Sequence, residues 1–216
     1  MTRKLRMGMF GGGKGAFIGA IHRCAAFMDN QIELVCGCFS SNPEKSLESG
    51  RELMLDDDRI YSTYQEMIEK EAQLPEDKRM DFISIVTPNH LHFGPAKMAM
   101  LNGFDVVLDK PMTFSLAEAK ELREIVQSTG RILALTHTYS GYPTVKEAKE
   151  RIARGDFGKV RKICFAYVEA EFNSCLCTGV LGFVHTNNCI IVIFRFLDGF
   201  NNYIVLVNRY KRILAW

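Results

Sequence analysis

The sequence has little net charge and lacks a metal-binding cysteine pattern. Its 27 Lys and Arg residues nearly balance 25 Asp and Glu residues, giving a formal net charge of +2, so electrostatics makes no case for a nucleic acid or a membrane surface as partner. Neither Cys36-x-Cys38 nor Cys175-x-Cys177 has the CxxC spacing and nearby histidines of a zinc site. We therefore expect no metal site. We interpret the seven cysteines as reduced and mostly buried.

The sequence also lacks an export signal at its start. The charged segment Met1–Arg6 is followed by glycines rather than by the apolar stretch of a signal peptide, so we expect a cytoplasmic protein. At 216 residues, of which 47% are apolar, the chain is long enough for one complete domain and part of a second.

Glycine, by contrast, is abundant near the start of the chain. The apolar run Leu5–Phe10 leads into glycines at 11, 12, 13, 15 and 19. Apolar residues then recur at helical spacing, at Ile18, Ile21, Ala25 and Met28. A glycine turn between a strand and a helix lets the backbone approach a pyrophosphate closely, and the helix offers it unpaired N–H groups. The strict spacing is Gly11-x-Gly13-x-x-Ala16, and Gly19 competes with Ala16 for the third small position.

Strand and helix patterns alternate along the rest of the first two thirds of the chain. Nearly continuous apolar runs, typical of strands in a parallel sheet covered on both faces, lie at Ile32–Phe39, Phe82–Val86, Phe104–Leu108 and Arg131–Thr136. Helix-start signals precede the intervening segments, at Asn42-Pro43, Thr63-x-x-Glu66 and Ser115-x-x-Glu118. This alternation predicts the α/β class, with a Rossmann-type doubly wound parallel sheet.

In such a sheet the carboxyl ends of the strands gather at one edge, where ligands bind. That edge would bring together the segments Gly11–Ala16, Phe39–Ser41, Thr87–His90, Asp109–Pro111 and Thr136–Tyr139. Glycine and polar residues therefore cluster where a dinucleotide would lie.

Six motifs occur in a specific order along the chain. They are Gly11–Gly19, His22-Arg23, Ser40–Pro43, Ile85–His90, Asp109–Pro111 and Thr136–Pro143. Together they resemble the Gfo/Idh/MocA oxidoreductases, the family of glucose-fructose oxidoreductase and inositol dehydrogenase, over about residues 4–168. The resemblance implies an NAD(P)-dependent dehydrogenase that acts on the hydroxyl of a sugar or cyclitol, with a second α+β domain covering the substrate.

The resemblance also implies the residues of the site. Those that bind the cofactor would be Gly11, Gly12, Gly13, Ala16, Phe17, Ile18, Ser40, Ser41, Lys45, Thr87, Pro88, Asn89, His90, Asp109 and Lys110. Lys110 matches the lysine of the family's Glu-Lys-Pro motif, although Asp109 replaces the glutamate. Its ammonium would hydrogen-bond the reacting hydroxyl, stabilise the developing alkoxide and reach the nicotinamide ribose. His137, as a second catalytic residue, and Tyr139 would lie near the substrate.

The end of the second strand bears on the choice of cofactor. An acid there would bind the ribose 2′-hydroxyl of NAD, but the chain has Ser40 and Ser41, with Lys45 one turn into the next helix. Hydroxyls and a cation tolerate a 2′-phosphate, which a carboxylate would repel. We expect NAD(P), with a lean towards NADP.

The resemblance stops near residue 168. We expect residues 1–143 to form the NAD(P)-binding domain and 144–171 to begin the substrate domain, whereas 172–216 are an atypical apolar tail with a single acid, Asp198. No Asp in the tail is followed by the histidine of the family's D-x-x-x-H pair. Three interpretations of the tail stay open: an out-of-frame translation, a divergent short ending or a membrane segment. The membrane segment is included because Phe172–Phe194 carries no formal charge.

Two functions stay open on this basis. The first is transfer of hydride between NAD(P) and a small polyol or sugar. The second is a catalytically inactive dinucleotide-binding remnant or an interaction module. Whether the protein forms a homo-oligomer is left open as well.

Overall fold

The structure, a computed structural model, describes residues 3–137, 141–172, 175–186, 189–195, 202–208 and 213–215. The chain divides into two compact units, Met1–Thr136 and His137–Trp216. The sequence-based boundary lies a few residues later, after residue 143.

Within the described residues, the first unit is a five-stranded parallel sheet in the order β2-β1-β3-β4-β5, covered by helices. The strands are β1 (Leu5–Phe10), β2 (Ile32–Cys38), β3 (Phe82–Ile85), β4 (Asp105–Leu108) and β5 (Leu133–Leu135). The helices are α1 (Phe17–Phe27), α2 (Pro43–Glu52), α3 (Tyr64–Gln73), α4 (Phe93–Leu101) and α5 (Leu116–Thr129). The strand order reverses beside β1, which confirms the predicted Rossmann-type doubly wound sheet.

Two groups of buried apolar residues pack within this unit. The larger is built from β2, β3, β4 and the helices α3, α4 and α5, and its largest fully buried side chains include Met67, Ile83, Met100, Phe104 and Leu122. The smaller contains Met7 and Met9 of β1 with Ala26 of α1. Cys36 and Cys38 are buried, whereas Cys24 is exposed. Burial raises the pKa of the Cys38 thiol to about 11, so this cysteine stays protonated and packs as a small apolar side chain.

Three of the predicted helix starts have the expected side-chain caps. Asn42 caps α2, with Pro43 in its first turn, and Thr63 caps α3. Ser115 and Glu118 form a reciprocal capping box at α5. Gly130 ends α5 in the left-handed conformation, with φ of 67°. The helix starts that local sequence chemistry determines are therefore as predicted.

The second unit contains α6 (Pro143–Ala153) and, among its described residues, an antiparallel sheet in the order β10-β9-β8-β7-β6. Its strands are β6 (Val160–Phe172), β7 (Cys175–Thr186), β8 (Cys189–Arg195), β9 (Asn202–Asn208) and β10 (Ile213–Ala215). The described part of the apolar tail thus lies in strands. No helix within the described residues is long and apolar enough to cross a membrane.

Candidate active site

The loops that leave the strands of the first unit lie in a row along one edge of the sheet. Each begins with a backbone N–H donated to the neighbouring strand: Gly11 to Cys38, Val86 to Phe10, Asp109 to Ile85, and Thr136 to Leu108, at N···O distances of 2.8, 3.0, 3.1 and 3.0 Å. The glycine loop and the turn that carries Lys110 are thereby held at the same edge, as the sequence predicts.

The loop after β1 has no room for side chains at two predicted positions. Gly11 has a φ of +84°, and a Cβ added to it would lie 2.8 Å from Cγ2 of Thr87. A Cβ on Gly13 would lie 2.8 Å from the Phe39 carbonyl oxygen and 2.9 Å from Oγ of Ser49. Positive φ and such contacts require glycine. The loop therefore exposes backbone, which a phosphate can approach closely.

Gly12 and Gly19 bring the loop and α1 into direct backbone contact. A Cβ on Gly19 would lie 2.3 Å from Cα of Gly12, closer than any real Cβ contact. Ala16, which the strict motif spacing places third, is exposed and precedes the first residue of α1. Gly19 thus makes the close helix–strand contact that the third small position of such motifs provides.

Within the described residues, the N-terminus of α1 has no side-chain cap, like those of α4 and α6 and unlike those of α2, α3 and α5. Its N-cap residue is Ala16, whose N–H donates to the Gly13 carbonyl at 2.9 Å. The first turn also contains no acid. Phe17 is 79% exposed and Ile18 packs against the smaller apolar cluster. Unpaired N–H groups at the positive end of a helix dipole favour an anion.

Arg23, a residue of α1, hydrogen-bonds to the glycine loop and fixes it against the helix. Its Nη1 donates to the Gly12 carbonyl at 2.8 Å and lies 3.3 Å from Sδ of Met9. Burial lowers the pKa of this guanidinium. The sequence places Arg23 in a motif but assigns it no role. Its position four residues after Gly19, on the helix face that contacts the loop, is the signal that identifies it.

A cleft of about 260 Å³ opens beside the glycine loop. The residues that line it are Gly13, Lys14, Ala16, Phe39, Ser40, Lys45, Glu48 and Ser49. Two of the three residues predicted for the ribose end, Ser40 and Lys45, are therefore in its wall, whereas Ser41 is exposed and is not among the described lining residues.

Charged side chains form a cluster at this cleft that sequence reasoning missed. Nζ of Lys14 lies 2.7 Å from a carboxylate oxygen of Glu48 and 2.7 Å from one of Glu52. The hydrogen bond from Lys14 lowers the pKa of Glu48, and these two carboxylates raise the pKa of Lys14. The backbone N–H of Lys14 also donates to Oγ of Ser49 at 3.1 Å. Glu48 and Glu52 lie one turn apart on α2, and their distance in sequence from the loop hides the contact.

Lys110 lies exposed in the turn after β4. In the part of the chain that the structure describes, its ammonium has no hydrogen-bond or ion-pair partner. The preceding residue is anchored instead: Oδ1 of Asp109 accepts a hydrogen bond from Oγ1 of Thr136 at 2.8 Å. A fixed turn thus presents a cation at the edge of the sheet.

His22 of α1 faces the same turn from within the unit. Its Nδ1 lies 3.0 Å from Oγ of Ser84, and its Nε2 lies 3.8 Å from Oδ1 of Asp109. Burial lowers the pKa of His22 and outweighs the opposing effect of Asp109. Ser84 is only 1% exposed, so this serine–histidine–aspartate arrangement gives no substrate access to a nucleophile. The group instead connects α1, β3 and β4.

The loop after β3 contains the remaining predicted cofactor residues. Asn89 and His90 begin a short 3-10 turn, Asn89–Leu91, in which Asn89 is half-buried and His90 exposed, and Pro88 before it is exposed. Oγ1 of Thr87 is buried, and within the described residues it has no hydrogen-bond partner.

Two buried contacts fix the loop after β3. His92, just after the 3-10 turn, has Nε2 2.8 Å from the carbonyl oxygen of Thr87 and Nδ1 2.8 Å from that of Pro111. Nothing in the sequence pattern selects His92, because its partners are backbone atoms. His137 is exposed and belongs to the second unit, and the prediction for Tyr139 lies outside the described residues.

Comparison with known proteins extends these observations. The Gfo/Idh/MocA family model, described as an oxidoreductase family with an NAD-binding Rossmann fold, matches residues 5–137. The chain is 31% identical over 168 residues to the uncharacterized oxidoreductase YfiI of Bacillus subtilis, covering 77% of this chain and 42% of that protein. It is 36% identical over 96 residues to scyllo-inositol 2-dehydrogenase (NAD(+)) of the same organism, covering 43% of this chain and 28% of the relative.

Among solved structures, an inositol dehydrogenase homolog from Azotobacter vinelandii, complexed with NADH and myo-inositol, has a TM-score of 0.90. It is 22% identical, and the match covers 100% of this chain and 76% of that one, which is a likeness of fold. The chain spans less than half the length of both curated relatives.

Proposed function

Because the chain belongs to the Gfo/Idh/MocA family of NAD-binding oxidoreductases, we propose that it transfers hydride between a nicotinamide cofactor and a sugar or cyclitol. The observation that carries this proposal is the pairing, on one sheet edge, of a glycine-loop helix that lacks a side-chain cap with Lys110 on an anchored turn. The first suits a pyrophosphate, and the second suits a hydroxyl that acquires negative charge.

The residues present fit the cofactor on three independent grounds. Gly11 and Gly13 leave backbone where any Cβ would clash. The start of α1 has neither a side-chain cap nor an acid in its first turn. The buried Oγ1 of Thr87, which the described residues leave without a partner, lies in the loop that contacts Gly11. When bound, NAD(P) supplies the group that accepts or gives up the hydride.

Lys110 would act on the reacting oxygen. As the substrate hydroxyl releases its proton to water, negative charge grows on its oxygen until hydride leaves the carbon that bears it, and an ammonium aimed at that oxygen stabilises the charge. The anchoring of Asp109 by Thr136 keeps the turn in place before the substrate arrives, so little reorganisation is needed.

The cleft beside the glycine loop supports NADP at least as well as NAD. Ser40 and the cations Lys14 and Lys45 line it, and a 2′-phosphate gains from hydroxyls and positive charge. Glu48 lines the same cleft and opposes a phosphate, although its charge is paired with Lys14. We therefore propose a small preference in favour of NADP.

Substitution of Ala16 tests the pyrophosphate site without crowding the loop. Ala16→Asp would cap α1 and place a carboxylate where the pyrophosphate should lie, whereas Ala16→Asn caps the helix without charge. We expect Ala16→Asp to bind NADH at least about tenfold more weakly than Ala16→Asn, which is a difference of about 1.4 kcal/mol in binding free energy. Fluorescence titration measures both affinities. Melting temperatures should not fall for either variant. Equal affinities of the two variants would contradict the pyrophosphate site.

Turnover is tested with inositols and common aldoses as substrates and with both NAD and NADP. Lys110→Met should lower kcat by about 100-fold or more, a much larger factor than its effect on NADH affinity, because the ammonium acts mainly on the transition state. A chain that binds NADH but oxidises none of these substrates would contradict the proposal. It would support the alternative of a catalytically inactive dinucleotide-binding protein or interaction module.

A further inference from the structure

We propose that His92 is a positioning residue, which fixes the Asp109–Pro111 turn against the loop after β3 by donating one hydrogen bond to a backbone carbonyl of each. The two distances are 2.8 Å, to the oxygens of Pro111 and Thr87. This inference rests on the proposed function, because it assigns His92 the task of placing Lys110 relative to the cofactor.

The chemistry of the two contacts requires both ring nitrogens to carry hydrogen. A carbonyl oxygen accepts hydrogen bonds and never donates them, and a neutral imidazole has a single N–H. Both bonds therefore exist together only in the imidazolium form. His92 is 1% exposed, so water does not replace either carbonyl.

The two carbonyls belong to the loops that, by the family resemblance, would flank the nicotinamide end of the cofactor. Thr87 lies against Gly11 and is followed directly by Pro88 and Asn89. Pro111 directly follows Lys110, so a bond to its carbonyl restrains the lysine through one residue. The contact of His22 with Asp109 reaches the same turn at 3.8 Å, beyond hydrogen-bond distance. The contact of His92 with the Asp109–Pro111 turn, at 2.8 Å, is therefore shorter than that of His22.

A purely structural role for His92 would have a different consequence. His92 precedes the first residue of α4, and a residue that only supported that helix would, when replaced, weaken the whole unit. Binding of every part of the cofactor would then decline together. A positioning role affects mainly the nicotinamide end, because the contact of the glycine loop with α1 is made by Arg23 and Gly19 rather than by His92.

The experiment compares NADH with ADP-ribose, which has the adenosine, pyrophosphate and second ribose but no nicotinamide. His92→Phe keeps a flat ring without donors, and His92→Gln keeps one donor nitrogen that reaches one carbonyl. We expect His92→Phe to weaken NADH binding by about tenfold and His92→Gln by about threefold, with ADP-ribose affinity within about twofold of wild type. Equal losses for both ligands would overturn the proposal.

Nitrogen NMR of the wild-type protein provides a second measurement that does not depend on variant folding or on the cofactor. Both ring nitrogens of His92 should carry hydrogen in the protein without ligand. A single protonated nitrogen would overturn the two-ended contact. A wild-type chain that binds neither NADH nor ADP-ribose would instead contradict the proposed function, and the NMR result would still decide the contact.

Discussion

The two ends of the candidate active site are held in different ways. At the glycine end, backbone packs against backbone, and Gly12 and Gly19 leave no space for a single carbon. At the Lys110 end, hydrogen bonds from buried or half-buried side chains, His92 and Thr136, connect neighbouring loops. Steric overlap is severe once it occurs, whereas hydrogen bonds are lost one at a time. We therefore expect substitutions of the close-packed glycines to affect folding, and the loss of single polar contacts to affect affinity or stability in graded steps.

The largest expected effect follows from adding one methyl group at the glycine end. In Gly19→Ala the new Cβ would lie 2.3 Å from Cα of Gly12, so α1 must move away from the glycine loop. Alanine is the better helix former by about 1 kcal/mol, but overpacking of this kind costs about 1–3 kcal/mol or more. We expect a net loss of stability in urea denaturation together with a loss of NADH binding.

Gly50→Ala in α2 is the matched control. It makes the same helix-favouring change, and its Cβ would lie 2.5 Å from Cδ1 and Cγ1 and 2.9 Å from Cγ2 of Ile60, which are side-chain rather than backbone atoms. A side chain shifts more readily than a backbone, so we expect a smaller loss. If Gly19→Ala were as stable as Gly50→Ala, the backbone contact would not be what holds the glycine end.

Arg23 provides a graded test within the glycine end itself. Arg23→Met removes the hydrogen bond to the Gly12 carbonyl but keeps most of the apolar side chain. Hydrogen bonds to charged groups contribute about 1.5–3 kcal/mol, so we expect NADH affinity to fall by about tenfold. Arg23→Lys keeps a cation and should retain most of the affinity. Isothermal titration of the three proteins measures the difference, and unchanged binding by Arg23→Met would show that the loop does not need this contact.

His22 makes the Lys110 end sensitive to pH. Burial lowers the pKa of His22 in the folded protein despite the nearby Asp109. The unfolded chain therefore takes up a proton first as the pH falls, and stability is lost from about pH 6.5 downwards. A folded-state pKa that lies one pH unit below the unfolded-state pKa corresponds to a loss of about 1.4 kcal/mol. Urea denaturation at several pH values between 8 and 5 should show this decline.

His22→Asn is the control for that decline, because an amide can still hydrogen-bond Oγ of Ser84 but does not titrate. Its stability should change less between pH 8 and pH 5 than that of the wild type. Identical pH profiles would mean that another group causes the decline.

Local sequence chemistry predicted the features that depend on neighbours along the chain. The caps at Asn42, Thr63 and Ser115 each use a side chain and a backbone N–H three residues later, so the sequence contains both partners. The alternation of strands and helices likewise determined which loops share the edge of the sheet. The glycine loop and Lys110 followed from these placements together with the family resemblance.

The contacts that complete the site depend instead on the tertiary fold. Lys14 meets Glu48 across 34 residues, and His92 meets Pro111 across 19. In both cases the register of the strands and the rotation of the helix decide the contact. Neither can be predicted from the local pattern of apolar residues. His92 is harder still to identify, since a backbone carbonyl gives no sequence signal for its partner. The third small position illustrates the same limit, because spacing favoured Ala16 while packing gives the close contact to Gly19.

The smallest expected effect concerns the charges at the glycine end. Glu48 lines the cleft beside Ser40 and pairs with Lys14, whereas Glu52 pairs with the same lysine but is not among the described lining residues. Glu48→Gln should remove a repulsion and free Lys14 for a 2′-phosphate, raising the ratio of NADPH to NADH affinity by about threefold. The effect is small because the carboxylate is exposed and screened.

Glu48 has two effects, repulsion of the 2′-phosphate and pairing with Lys14, and Glu52→Gln separates them. It frees Lys14 to a similar degree without altering the cleft wall. We expect it to raise the ratio less than Glu48→Gln, and both effects should shrink in high salt as screening increases. Fluorescence titration with both reduced cofactors at two salt concentrations measures this. Equal ratios in both variants would mean that release of Lys14, rather than the charge of Glu48 itself, controls the choice. An unchanged ratio in both would mean that the cleft does not receive the 2′-phosphate, and the lean towards NADP would then be wrong.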